Sequence, residues 1–457
     1  MAAQFELTRE FIEQLKDAVR NNDEVLTYNL VKDLHAADIA ELYTGLTIEE
    51  AKYVYLLLES EKAADVLIEL EEDEREKFLN VLPGEVIAKQ FIDKMDSDDA
   101  ADILGGLSEE KKEEVLQNIH DLDQAVDLVD LLNYPEDTAG GLMAKELIKV
   151  NENWDVETCI HELRKQAAEV DEVYYVYVVD DKDKLKGTVS LKRIMLARSN
   201  AKISNIYDPD VISVNTNTND EEVAAVMEKY DLVALPVVDS IGRLMGRITI
   251  DDVVDVIKEE AEKDYQMIAG ITEDVEPSDN VFVLTRARIP WLLIGLVGGI
   301  LGAHVIGMYE SEIKIDPKLA MFLPLIAAMG GNVGVQSSSI VVQGLANKSI
   351  DLDSTWRKLL KELSIGLINA ATFSSLILLY NVIFTQSVHL TLTVSIALFT
   401  VILIASLLGT FIPLLLNKLR IDPAVATGPF ITTMNDILGL SIYLGIGRIL
   451  YGVFHGL

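Results

Sequence analysis

The 457 residues carry 74 acidic and 39 basic side chains, a net charge of −35, on a chain long enough for several domains. The charge is unevenly placed: residues 1–280 hold 66 acids and 28 bases, and residues 281–457 hold 8 and 11 among long apolar stretches. This excludes an ordinary soluble enzyme and a chain disordered throughout, and it argues against nucleic-acid binding, which needs a basic face to displace phosphate counter-ions.

The start, MAAQFELTREF, lacks a basic region followed by an apolar core, so no cleaved signal peptide is expected. One cysteine, Cys159, cannot form an internal disulfide and suits a reducing compartment. Residues 1–135 read as helical, with Ala-Ala-Asp recurring at Ala36-Ala37-Asp38, Ala63-Ala64-Asp65 and Ala100-Ala101-Asp102. Each is followed by an acid-rich second helix, the pattern of stacked helical hairpins in a superhelical domain. Asp96, Asp98, Asp99 and Asp102 gather where one of these helices begins.

Residues 136–199 and 200–256 read as two copies of one α/β unit. Lys149-Val150-Asn151 matches Ser213-Val214-Asn215, Val178-Val179-Asp180 matches Val237-Val238-Asp239, and Gly187 matches Gly246. Each copy reads as strand, helix, two strands around a polar turn, then helix. This resembles a tandem pair of CBS domains. Gly246-Arg247-Ile248-Thr249-Ile250-Asp251-Asp252 matches that family's nucleotide-contacting pattern, with Thr249 and Asp252 in place. The first copy lacks the final Asp, so the resemblance implies at most one adenosine nucleotide site, for ATP.

Five apolar stretches are long enough to cross a bilayer: Pro290–Met308, Leu319–Leu345, Leu363–Phe384, Leu390–Leu416 and Pro423–Tyr451, the last broken by Gly428-Pro429. Arg286 and Arg288, then Lys348, Arg357, Lys358 and Lys361, then Lys418 and Arg420 all fall on the side of the N-terminal module. Positive loops stay inside, so the acidic part is expected in the cytoplasm and the C-terminus outside. Trp291 and Trp356 read as interfacial anchors.

Asp436 is the one carboxylate well inside a predicted span. Such a group costs about 2.5–3.5 kcal/mol to insert, so it faces a cavity or a partner; the best basic candidate is Arg448. Thr432, Asp436, Gly439 and Tyr443 share a helical face. Asn332 and Gln336, four apart among glycines and serines, can present amides together. Asp422-Pro423 and Gly428-Pro429 suggest broken helix, tolerated at that depth only where protein or water covers it. With no cluster of Cys or His, the set of carboxylate, amide, hydroxyl and carbonyl oxygens suits a hydrated magnesium ion better than a soft metal. Five spans give few walls, so a homodimer with Asp436 on the two-fold axis is economical.

The order of modules, with GGNVGVQSSS and DPAVATGPFITTMND in the spans, resembles the MgtE family of magnesium channels. The fold class expected is a multi-domain membrane protein: an α-helical N domain (1–135), the CBS pair, a connecting plug helix (257–286, about Ile257–Arg286) and a five-span α-helical pore domain (287–457). The resemblance implies a homodimer, Asp436 as the carboxylate that selects hydrated Mg2+, and Asp422 as a second membrane-site acid. Asp98, Asp99, Asp102, Asp251, Asp255, Glu259 and Glu262 are expected to bind regulatory Mg2+, with Asn332, Gln336 and Thr432 lining the pore.

Thirty-eight excess negative charges repel unless counter-ions intervene. Cytosolic Mg2+ bridging these acids would compact the module and hold the plug closed. The alternative is a membrane-tethered metal or nucleotide sensor that acts on a partner without transport. An anion channel fits poorly with an acidic lining, and no nucleophile–base pair or phosphate-cradling loop suggests an enzyme.

Overall fold

The computed structural model describes residues 7–168, 170, 173–272, 275, 280–346, 355–384, 387–426 and 428–455. They form two compact units, residues 1–258 and 259–457. Lys348 lies outside the described residues.

The Ala-Ala-Asp segments fall on the helices Ala36–Glu41, Ser60–Ile68 and Ser97–Gly105, each followed by a second helix: Ile48–Tyr55, Glu72–Asn80 and Glu109–Leu116. Ala63, Ala64, Ala100 and Ala101 are buried, and their small side chains let neighbouring helices approach. Thr47 and Glu50 form a reciprocal capping box at the start of Ile48–Tyr55, satisfying donors that the first turn leaves open. Phe78 is fully buried between Tyr55 and Phe91, with ring centroids at 5.2 and 6.0 Å in edge-to-face geometry.

The two copies each build a three-stranded sheet. In the first, β1 (Ile148–Asn151) runs parallel to β2 (Val176–Val179), which pairs antiparallel with β3 (Leu185–Val189). In the second, β4 (Val214–Asn215), β5 (Ala234–Val238) and β6 (Leu244–Thr249) repeat the arrangement. Each copy is completed by the segment leading into the other. Ala144 pairs with Arg247 of β6, and Asp208 pairs with Thr188 of β3. The matched glycines follow from this: a Cβ on Gly187 would strike the Asp208 carbonyl, and one on Gly246 would lie 2.6 Å from the Ala144 carbonyl. The helical N domain and the second copy share one apolar core, running from Leu15 through Phe78 to Leu235, Ile248 and Val256. The first copy keeps a core of its own around Ile148, Val178 and Val189.

The expected connecting helix over Ile257–Arg286 is not one helix. A helix begins at Ile250, continuous with the end of β6, and stops at Ala269, where Gly270 takes φ +85°. Arg286 belongs to the next helix, Val281–Met308. The chain there carries Gly, which alone adopts that conformation cheaply, and the helix ends at it.

Among the described residues, five helices are long and apolar enough to cross a membrane: Val281–Met308, Pro317–Leu345, Trp356–Phe384, Val388–Lys418 and Gly428–Val453. They are named below as the first to fifth spans. The fourth is the most enclosed, and its Val394, Leu398 and Ile402 pack with Ile326 and Val333 of the second and Tyr443 and Leu444 of the fifth. Trp356 is exposed. Trp291 is instead buried, its Cβ facing Gly270, so it holds the protein together rather than facing lipid.

Candidate functional site

Small residues draw the second, fourth and fifth spans together. A Cβ on Gly331 would lie 3.2 Å from Thr432 Cγ2 and 3.7 Å from Asp436 Oδ1, and one on Gly334 would strike the Asn435 amide. A Cβ on Gly409 would strike the Gly334 carbonyl. Asp436 is therefore half-buried directly against the backbone of the second span. Among the described residues it forms no ion pair; the candidate partner Arg448 goes to Glu312 at 3.4 Å. Asn332 and Gln336 are exposed on a common face of the second span. Thr432 is half-buried and donates its hydroxyl to the Gly428 carbonyl at 3.0 Å. Tyr443, expected on the same stripe as Asp436, is fully buried and donates to the Leu319 carbonyl at 2.9 Å. The stripe thus ends about one turn beyond Asp436.

The fifth span begins with a real break. Pro423–Ala426 forms a short 3-10 turn, capped by Asp422 Oδ1 accepting from the Ala424 amide at 2.8 Å, and Gly428 takes φ +50°. A Cβ at Gly428 would strike the Ile268 carbonyl, and one at Gly270 would lie 2.8 Å from Pro429 Cγ. The end of the Ile250–Ala269 helix thus bears directly on the start of the fifth span. On the same helix, Asp264 is pushed above the usual carboxylate range by burial, then by the charges of Asp422 and Glu260. Asp264 was not among the acids singled out from the sequence, whereas Glu259 and Glu262, which were, point to solvent. Helical spacing held the clue: Glu260 and Asp264 stand one turn apart on the face that meets Asp422.

In the first unit the expected acids do converge. Asp98, only 8% exposed, lies at the start of Ser97–Gly105 and feels Asp252 most strongly of its neighbours. Burial first, and the Asp252 and Asp99 charges next, hold its carboxyl well above the ordinary range. Asp99 is pushed up to about 7 by burial, then by Asp252, Asp102, Asp96 and Asp251. Asp252 is also raised by burial, with Asp251 and Asp255 adding to it and the Thr249 hydrogen bonds opposing. Asp102, Asp251 and Asp255 are exposed at the rim. Among the described residues, no three His, Cys, Asp or Glu side chains close on a single point as a metal cage would. The group is a concentration of negative charge suited to an ion that keeps its waters.

One cation is built into this junction. Arg247, 6% exposed on β6, reaches Asp96 at 3.5 Å and stacks on Tyr174 with its guanidinium 5.3 Å from the ring centre. Beside it, Glu146 Oε2 accepts from the Ser97 amide (3.1 Å) and hydroxyl (2.7 Å). Thr249 and Asp252, the candidate nucleotide contacts, bond each other: the Thr249 amide and hydroxyl donate to Asp252 Oδ2 at 3.0 and 2.8 Å. Asp252 therefore serves the helix start and the acidic group at once.

Known proteins show the same plan. The chain is 34% identical to the magnesium transporter MgtE of Thermus thermophilus over 95% of its length and 97% of that protein's. It belongs to the MgtE family. The MgtE divalent cation transporter model matches residues 323–446, the MgtE intracellular N domain model residues 34–137, and the CBS domain model residues 139–200 and 203–259. The MgtE of Bacillus subtilis is 32% identical over 92% of both chains. A crystal structure of the cytosolic domain of the Mg2+ channel MgtE in complex with ATP covers 54% of the chain and 99% of its own, at 35% identity and a TM-score of 0.50. The MgtE profile over 323–446 includes Asn332, Gln336, Asp422, Thr432 and Asp436, and also Glu362, an acid that reading of the sequence passed over.

Proposed function

We propose that this MgtE-family chain is a magnesium channel of the bacterial inner membrane, acting as a homodimer with its acidic module in the cytoplasm. The observation that carries the reading is Asp436: a carboxylate in an apolar span, set against backbone, with its candidate basic partner engaged elsewhere. Keeping such a group costs about 2.5–3.5 kcal/mol on insertion scales, which a packing role does not return. Two copies across a two-fold axis would hold one divalent ion through its water shell, with Asn332, Gln336 and Thr432 offering oxygens on the approach. The names borne by the relatives from Thermus thermophilus and Bacillus subtilis support magnesium as the ion.

Regulation follows from the acidic junction. When cytosolic Mg2+ is high it would screen Asp98, Asp99, Asp102, Asp251, Asp252 and Asp255, keeping the N domain against the second CBS copy. Asp264 and Asp422, with Glu259 and Glu262 nearby on the helix, would act at the second unit's own end of that helix. When Mg2+ falls, repulsion opens the junction and the Ile250–Ala269 helix moves at its Gly428-Pro429 seat. A tenfold change in occupancy at each site supplies about 1.4 kcal/mol, so a few weak sites make a steep switch. ATP would modulate this closure by drawing Thr249 and Asp252 from their mutual bonds, and Thr249→Ala should weaken ATP binding.

The deciding experiment is Mg2+ uptake into liposomes with a magnesium dye. Asp436→Ala should lose uptake while exposed Glu49→Ala keeps it; uptake surviving in Asp436→Ala would leave the sensor-without-transport reading standing. Removing residues 1–258 should leave uptake indifferent to Mg2+ on the module's side.

A further inference from the structure

We propose that Glu362 is a positioning residue that sets the ion discrimination of the pathway, acting through the second span. It stands two turns into the helix Thr355–Phe384. Its Oε1 accepts from Ser337 Oγ of the second span at 2.7 Å and from Ser406 Oγ of the fourth. Both serines are buried, 6% and 1% exposed. One carboxylate oxygen therefore ties three spans at a point. Hydrogen bonds made away from water, in apolar surroundings, are stronger than the same bonds in solvent. One turn on, a Cβ at Gly366 would lie 3.1 Å from Ser406 Oγ, so the absent side chain is what lets the serine approach.

The second span presents three distinct faces. Gly330, Val333 and Ser337 turn toward the fourth span, where a Cβ on Gly330 would meet Val401 Cγ1 at 3.0 Å. Gly331 and Gly334 turn toward Thr432, Asn435 and Asp436 of the fifth. Asn332 and Gln336 form the exposed face. Where the second span meets Asp436 it carries only glycine, so a displacement of its backbone reaches that carboxylate with no side chain to absorb it. Glu362 fixes the second span through Ser337, on the face next to these glycines. It thereby fixes where the glycine backbone seats Asp436, and the placement of that carboxylate is what distinguishes one hydrated divalent ion from another. The inference rests on Asp436 as the ion-holding group, and it gives Glu362 no contact with the ion.

The test uses the full-length protein in liposomes and measures Mg2+ uptake together with its inhibition by Ca2+. Glu362→Ala and the double variant Ser337→Ala/Ser406→Ala should each cut the preference for Mg2+ over Ca2+ by about tenfold, while maximal uptake falls much less. Glu362→Gln, which keeps an acceptor, should lie between them and the parent protein. Unchanged preference in both the glutamate and the serine variants overturns the proposal. So does a loss in Glu362→Ala with the double serine variant behaving as the parent, because the carboxylate would then act on the ion directly. If Glu362→Ala fails to fold, the serine variants and Glu362→Gln decide alone. Asp436→Ala in the same assay separates the two claims: survival of uptake there refutes the pore carboxylate, whatever the preference ratios show.

Discussion

The two units handle charge in opposite ways. In the first, acids far outnumber bases, and buried Asp98 and half-buried Asp99 crowd with Asp252 and with each other. In the second, charges along the spans are few and several are paired: Arg448 with Glu312, Lys314 with Glu310, His389 facing Asp316 at 3.8 Å, and Glu362 between two serine hydroxyls. An acid is thus informative for contrary reasons in the two places. Among many acids, the telling ones are those that burial and crowding make costly. Among few, the telling one is Asp436, which stands apart from the pairing around it.

The sharpest way to break this contrast is to neutralise that carboxylate. Asp436→Asn should reduce Mg2+ uptake by about 100-fold, equal to about 2.7 kcal/mol, with the first unit's stability unaltered. Damage to the first unit's core is read on stability instead of uptake. Phe78→Ala should cost about 3–5 kcal/mol in urea unfolding of that unit, and the N domain and second CBS copy should lose stability together because they share the core.

Relieving the crowding should have the reverse sign. Asp99→Asn removes a buried charge from the acidic group and should stabilise the first unit by about 1–3 kcal/mol at pH 7.5 without Mg2+. The same variant should make closure less steeply dependent on Mg2+, because part of the repulsion that Mg2+ screens is gone. The pH dependence follows from the folded-state value near 7 against 3.8 for the ordinary group. A carboxyl raised in the folded state takes up a proton on folding between those values, so stability should grow as pH falls from about 8 toward 5, and shrink as pH rises through 7. Asp98 and Asp252 act in the same direction. A rise in stability with pH across that window would contradict the buried cluster, and Asp99→Asn should flatten the curve. The smallest effect is expected from Thr47→Ala, which opens the capping box at a cost of about 1 kcal/mol and should leave Mg2+ sensitivity alone.

Local and periodic features were legible from the chain itself. Hydropathy located the five spans, the offset repeat located both three-stranded sheets, and Ala-Ala-Asp located the stacked hairpins. Features that depend on which face meets which neighbour were not. Glu362 escaped because a hydropathy window treats a charge as the edge of a span, and its two serine partners lie 25 and 44 residues away. Asp264 escaped because an acid-rich stretch offers several candidates until a neighbouring segment selects one face. Trp291 was misjudged because an aromatic near a span's end looks the same whether lipid or protein covers it. The union of the N domain with the second CBS copy, and not the first, depends on tertiary packing that no repeat pattern encodes.

The exchange of leading segments between the CBS copies has a consequence for how the chain is made. The first sheet can gain its outer pairing once Asp208 is made, but the second cannot until the ribosome has passed Arg247, since Ala144 waits for a strand about a hundred residues downstream. The second copy thus keeps one edge open until its last strand emerges, while the segment that will cover that edge has been waiting since before the first sheet was made.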